Sequence, residues 1–128
     1  MTPAGPLTVN VQTFETENQN NNPCGSFAQG STVILEAVIS ANGTQNLPNI
    51  MIAFTINDNL TYQIFLGYTW QSIEIGNPVT VYMGFRIPTG SDTTLGQYTA
   101  KVLVFTNLPS QGGQAIPGGM GVVQFMVT

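Results

Sequence analysis

The sequence predicts an all-β fold, an antiparallel β-sandwich of seven to eight strands formed as a single domain over residues 1–128. Three observations predict it. Apolar and polar residues alternate with period two in short segments, and Gly, Pro and Asn separate those segments. No stretch carries the 3.6-residue period of an amphipathic helix. The chain of 128 residues is 42% hydrophobic, enough to bury a core without a metal or a disulfide.

The elements follow in order. Met1-Thr2-Pro3-Ala4-Gly5-Pro6 is a Pro-rich leader. Leu7 to Phe14 reads as the first strand, with Leu7, Val9 and Val11 on one face. Glu15 to Gln29 is so rich in Asn, Pro and Gly that it reads as an exposed loop. Ser31 to Ala41 alternates as a strand with Val33, Leu35, Ala37 and Ile39 inward, and Asn42-Gly43 closes it as a turn. Asn49 to Asp58 carries Ile50, Ile52, Phe54 and Ile56. After a turn at Asn57-Asp58-Asn59 the pattern resumes as Tyr62, Ile64, Leu66 and Tyr68, the expected core face of a hairpin, with Trp70 in a turn. Ile73-Glu74-Ile75 is a short extra segment. Val79, Val81, Met83, Phe85 and Ile87 alternate against Thr80, Tyr82, Gly84 and Arg86 until Pro88 stops the run. Tyr98 to Thr106, with Tyr98, Ala100, Val102 and Val104 on one face and Lys101, Leu103 and Phe105 on the other, is largely apolar on both and reads as a central strand. Pro109 to Gly119 reads as a flexible loop, and Met120 to Thr128 as the last strand.

Composition excludes several functions. Only Arg86 and Lys101 are basic, six residues are acidic, and there is no histidine; charged residues are 6% of the chain, against about 25% in ordinary domains. Solubility rests on 12 Asn, 10 Gln, 6 Ser and 16 Thr. Two cations cannot neutralise a run of phosphates, so neither nucleic acid nor membrane contact is expected of this domain. A nearly uncharged surface is expected to change little with pH and suits an extracellular or cell-surface location. Cys24 is alone, so it has no internal disulfide partner. The glycosylation triplets at Asn42 and Asn59 match chance frequency and carry no weight. The N-terminus lacks the basic and apolar regions of a signal peptide, so a leader or anchor has been cut away or was never used.

Asp92-Thr93-Thr94-Leu95-Gly96-Gln97-Tyr98-Thr99-Ala100 resembles the corner leading into the sixth strand of immunoglobulin-like domains. The resemblance implies that Tyr98 is structural, its hydroxyl returning to a nearby backbone group. Phe27-Ala28-Gln29-Gly30-Ser31-Thr32-Val33, Leu95-Gly96-Gln97-Tyr98 and Leu108-Pro109-Ser110-Gln111-Gly112-Gly113 resemble secreted immunoglobulin-like sandwich modules of archaeal cell surfaces. Among these the chain is similar in size to the soluble domain of archaellum stator proteins of the FlaF and FlaG type. That resemblance implies a domain outside the membrane that pairs with itself and grips a surface-layer protein.

The residues offer little chemistry. Without histidine there is no Ser-His or Cys-His nucleophile and few zinc or copper sites, so no enzyme, no cofactor and no metal is expected. Glu15 and Glu17 share a face if extended but sit beside the Asn-rich stretch and read as solvated; Asn57-Asp58-Asn59 reads as a turn and not a calcium loop. Contact is the better reading. Ile34 and Val38 on one strand and Met51 and Ala53 on another make their second faces apolar, and Tyr82 falls on a polar face, so these five are the expected interface of a homo-oligomer. A virion structural protein, such as a capsid decoration or spike domain, is the alternative. A carbohydrate-binding module comes third, with Tyr62, Tyr68, Trp70 and Tyr82 as its rings.

Overall fold

A computed structural model describes residues 8–41, 46–91, 93–107 and 109–128. Eight strands form it: β1 (Val9–Glu17), β2 (Ser26–Phe27), β3 (Thr32–Ala41), β4 (Leu47–Asn57), β5 (Gln63–Ile73), β6 (Val79–Arg86), β7 (Gly96–Phe105) and β8 (Ala115–Val127). They make two sheets, one ordered β1-β3-β6 and the other β2-β8-β7-β4-β5. This is an immunoglobulin-like β-sandwich. All strand pairs are antiparallel except β2 with β8, which run parallel.

The inward faces follow the alternation. Val33, Leu35, Ala37 and Ile39 of β3 face Ile50, Ile52, Phe54 and Ile56 of β4, and all are nearly or fully buried. Central β7 sends Tyr98, Ala100, Val102 and Val104 into the same core, while its outer face carries Gln97, Thr99, Lys101, Leu103 and Phe105. Phe125 binds its neighbours through ring contacts, edge-on to Phe27 at 5.7 Å and tilted against Tyr98 at 5.6 Å. The Tyr98 hydroxyl donates to the Thr94 carbonyl at 2.7 Å, so the buried ring carries no orphaned polar atom.

Several expectations are corrected. The Asn-rich stretch does not begin at Glu15, because β1 runs on to Glu17 beyond a bulge between Val11 and Thr13. Ser26–Phe27 then returns as β2 beside the C-terminal strand. Ile73 ends β5, and Glu74 only bridges Asn77. The glycines before Met120 do not make a flexible loop: after a 3₁₀ turn at Pro109–Gln111, β8 starts at Ala115 and runs through them. Their role is close approach. A Cβ on Gly118, whose φ is +82°, would lie 2.0 Å from the Val9 carbonyl oxygen, so small residues there let β1 cross β8 at the seam between the sheets. Leu7, Asp92, Leu108 and the Asn42-Gly43 turn lie outside the described residues.

The largest correction concerns β5. Tyr62, Leu66 and Tyr68 are exposed, and Trp70 lies within the strand and not in a turn. The core side of β5 is made instead by Phe65, Gly67 and Ile73, with Phe65 against Phe85 at 5.2 Å. A register shift between Ile56 and Asn57 on the β4–β5 ladder moves Ile64 to the bulge at the end of the strand.

Candidate functional site

Two outer faces and one end of the sandwich bear on function. The outer face of the five-stranded sheet is built in rows. Trp70, Met51 and Phe105 lie side by side across β5, β4 and β7; Tyr68, Ala53, Leu103 and Met120 form the next row; Leu66, Thr55, Lys101 and Val122 form the third. Met126 continues the apolar surface along β8, while Gln97 and Gln124, joined by a 2.8 Å hydrogen bond, mark its polar rim. Small Ala53 and Thr55 on β4 between larger neighbours leave an apolar depression of about 250 Å³, lined by Met51, Ala53, Thr55, Leu66, Tyr68, Leu103 and Phe105.

The exposure of this face is considerable. Leu66, Tyr68, Met120, Val122 and Met126 are between 44% and 62% exposed, and Trp70 is 38% exposed. At about 150–250 Å² for a large side chain, these six present about 600 Å² to solvent before half-buried Leu103 and Phe105 are counted. That is the top of the roughly 300–600 Å² found for the largest apolar patch on monomers.

The outer face of the three-stranded sheet is different. Glu15 lies opposite Glu36 in the β1–β3 ladder, and Glu17 is next along the same face. Their carboxylate oxygens lie within 4.8 Å of one another, and Glu17 is 2% exposed. The reading of Glu17 as solvated is therefore overturned, while Glu15 stays half-exposed: the continuation of β1 brings both onto β3. Neither cation lies within the trio, since Arg86 is paired opposite Thr32 and donates to the Gly30 carbonyl, and Lys101 belongs to the other sheet. A hydrogen bond with Glu17, then desolvation, then the charges of Glu17 and Glu15 push the Glu36 carboxyl up to about 7. Desolvation followed by the contact with Glu17 raises Glu15. Glu17 is held below the usual range, chiefly by its bond to Glu36, and it also accepts from Asn21 Nδ2 at 3.2 Å. Each carboxylate offers one oxygen that could ligate a cation, and the bond between Glu17 and Glu36 shares a proton within the trio.

The expected interface residues do not form one surface. Met51 and Ala53 lie on the outer five-stranded face but are only 4% exposed, shielded by Trp70, Tyr68, Leu103 and Phe105. Ile34 and Val38, both half-buried, and exposed Tyr82 lie on the outer face of the other sheet. Sequence reasoning missed Leu66 of β5 and the outer residues of β8, and it named Tyr68 and Trp70 only as candidate sugar-stacking rings. A second depression, of about 400 Å³, at the end of the sandwich includes Asp58, Thr89, Ser91 and Thr94. Its carboxylate is already used, since Asp58 Oδ1 accepts from the backbone of Leu60 and Tyr62 and so builds the turn. Cys24 is half-buried, its thiol 3.1 Å from the Ser26 carbonyl.

No protein-family description and no curated protein matches the chain in sequence. Solved structures match it in fold. The C-terminal domain of Wzt is similar with a TM-score of 0.70 at 7% identity, over 98% of this chain and 76% of that one. A CARDB domain from Pyrococcus furiosus, solved in complex with di-metal ions, gives 0.61 at 10% identity over 100% and 92%. The alkylpurine DNA glycosylase AlkC of Pseudomonas fluorescens, bound to DNA containing an abasic site analog, gives 0.62 at 12% identity; this chain covers 93% of its own length there and spans 30% of that enzyme. At such identities the likeness is one of fold.

Proposed function

We propose that this domain is a non-enzymatic contact module that pairs with a second copy of itself through the outer face of its five-stranded sheet. The observation that carries this is the contiguous apolar surface of Leu66, Tyr68, Trp70, Leu103, Phe105, Met120 and Val122. With Leu103, Phe105 and the polar rim added to the roughly 600 Å² of strongly exposed side chains, its area approaches the about 800 Å² that each partner contributes to a standard interface. A second copy supplies a surface of the same size and chemistry, as a two-fold interface requires.

The reading extends to a domain that is extracellular or at the cell surface and whose other faces dock onto a surface-layer protein. The low charge content and the resemblance to archaellum stator domains support it, and a virion structural role would use the same face. Light scattering tests the pairing. Val122→Lys and Leu66→Lys each place a charge on an exposed position, where folding tolerates substitution to within about 0.5 kcal/mol; each should shift a dimer to monomer at unchanged thermal stability. A wild type that stays monomeric at high concentration would overturn the pairing. The exposure of Tyr68 and Trp70 would then favour sugar stacking, which a glycan array and tryptophan fluorescence check directly.

A further inference from the structure

A sheet edge exposes unpaired backbone donors and acceptors, and proteins normally blunt it with charge, proline, a bulge or brevity. The other edges among the described residues are blunted. β2 has two residues and covers only Met126 and Val127 of β8, the rest of that side of β8 carries Pro117 and is crossed by β1, β1 is bulged and carries Glu15 and Glu17, and β6 ends on Arg86. The edge of β5 has none of these devices along Phe65-Leu66-Gly67-Tyr68-Thr69-Trp70-Gln71, which holds no charge, no proline and no register shift. β5 pairs with β4 on one side, and among the described residues no strand pairs with its other side.

We propose that this edge is a second homotypic contact, at which β5 of one copy pairs antiparallel with β5 of another about Tyr68, joining two five-stranded sheets into one of ten strands. The regular segment is self-complementary in that register. Tyr68 meets its own counterpart and Leu66 meets Trp70 on the outer face, while Gly67 meets Thr69 on the inner side. Residues directly opposite in an antiparallel pair have Cβ atoms about 4.5–5.5 Å apart. No like charges oppose one another across the two-fold axis, and the edge contact leaves the outer apolar face free. The inference stands apart from the pairing through that face.

Disulfide trapping in a Cys24→Ser background tests it, with Val122→Lys also present so that loss of the face contact does not decide the result. Tyr68→Cys should cross-link with itself under mild oxidation. Leu66→Cys alone and Trp70→Cys alone should not, because like positions are then displaced by about four residues, roughly 13 Å along the strands, yet a mixture of those two proteins should form the mixed dimer. In the same Val122→Lys background, in which the face contact is already lost, Tyr68→Lys places two ammonium groups at the axis and should lower the mass seen by light scattering while the far-ultraviolet circular dichroism is kept. Absence of the Tyr68→Cys cross-link, or equal cross-linking at all three positions, overturns the edge contact. If Val122→Lys leaves the mass of the otherwise unaltered protein unchanged while the Tyr68→Cys link forms, the face reading fails and the edge contact stands.

Discussion

At the scale of single residues the carboxylate trio makes the sharpest statement, because it sets the response to pH of a domain otherwise almost without charge. Glu36 titrates near 7 in the fold against an ordinary 4.5. A carboxyl raised by folding contributes stability that is complete below its unfolded value and is lost as pH rises through its folded value. Glu17, lowered by folding, contributes in the opposite sense, and its share is lost as pH falls below about 4.5. The melting temperature should therefore fall by a few degrees between pH 5 and pH 8, and Glu36→Gln, which can still donate a hydrogen bond to Glu17, should flatten the curve over that interval. Calorimetry across the range checks it; a wild-type profile as flat as the variant's would remove the proton-sharing account. The trio was not legible in the sequence. Glu15 and Glu17 lie 19 or more residues from Glu36, and only the continuation of β1 past its bulge brings them together. The Tyr98 corner is different, because its hydrogen bond reaches back four residues and local spacing carries it.

At the scale of elements, alternation located the strands but not always their faces. β3 and β4 could be oriented, since each has one face of large aliphatics. β5 could not be read that way: Ile64, Leu66, Tyr68 and Trp70 look more like a core than Phe65, Gly67, Thr69 and Gln71 do. Its orientation is set by tertiary context, with Phe65 reaching Phe85 and Gly67 lying beneath Met83. The same failure hid part of the apolar outer face, because Leu66 and Tyr68, assigned to the core, belong to it. β8 shows the converse, its glycines reading as loop punctuation where the fold uses them for approach. Gly118→Ala should cost about 1–3 kcal/mol, through the positive φ and the collision with the Val9 carbonyl, and thermal unfolding should show a drop of several degrees. Gly25→Ala, with nothing within 4 Å of the added methyl, is the control expected to be neutral. A Gly118→Ala protein as stable as that control would mean β1 does not cross β8 this closely.

At the scale of the whole molecule, the acidic trio and the apolar rows lie on opposite outer faces. The acidic trio occupies the outer face of the three-stranded sheet, while the rows on the outer face of the five-stranded sheet contain one charged residue, Lys101. A contact made by those rows gains its free energy from apolar burial, and the formal charge of −4 adds a weak repulsion between copies. Salt then acts in a defined direction. Between roughly 0.1 and 1 M NaCl the screening length falls from about 10 Å to about 3 Å, which removes repulsion and leaves the apolar term intact. The dimer should hold its mass or strengthen across that range, strengthen further in sodium sulfate, which favours burial, and loosen on cooling as the hydrophobic term weakens. Sedimentation equilibrium at the two salt concentrations and at two temperatures decides it. Dissociation by NaCl would mean that ion pairs hold the copies together, and would move the contact from the five-stranded face to the side that carries Glu15, Glu17 and Glu36.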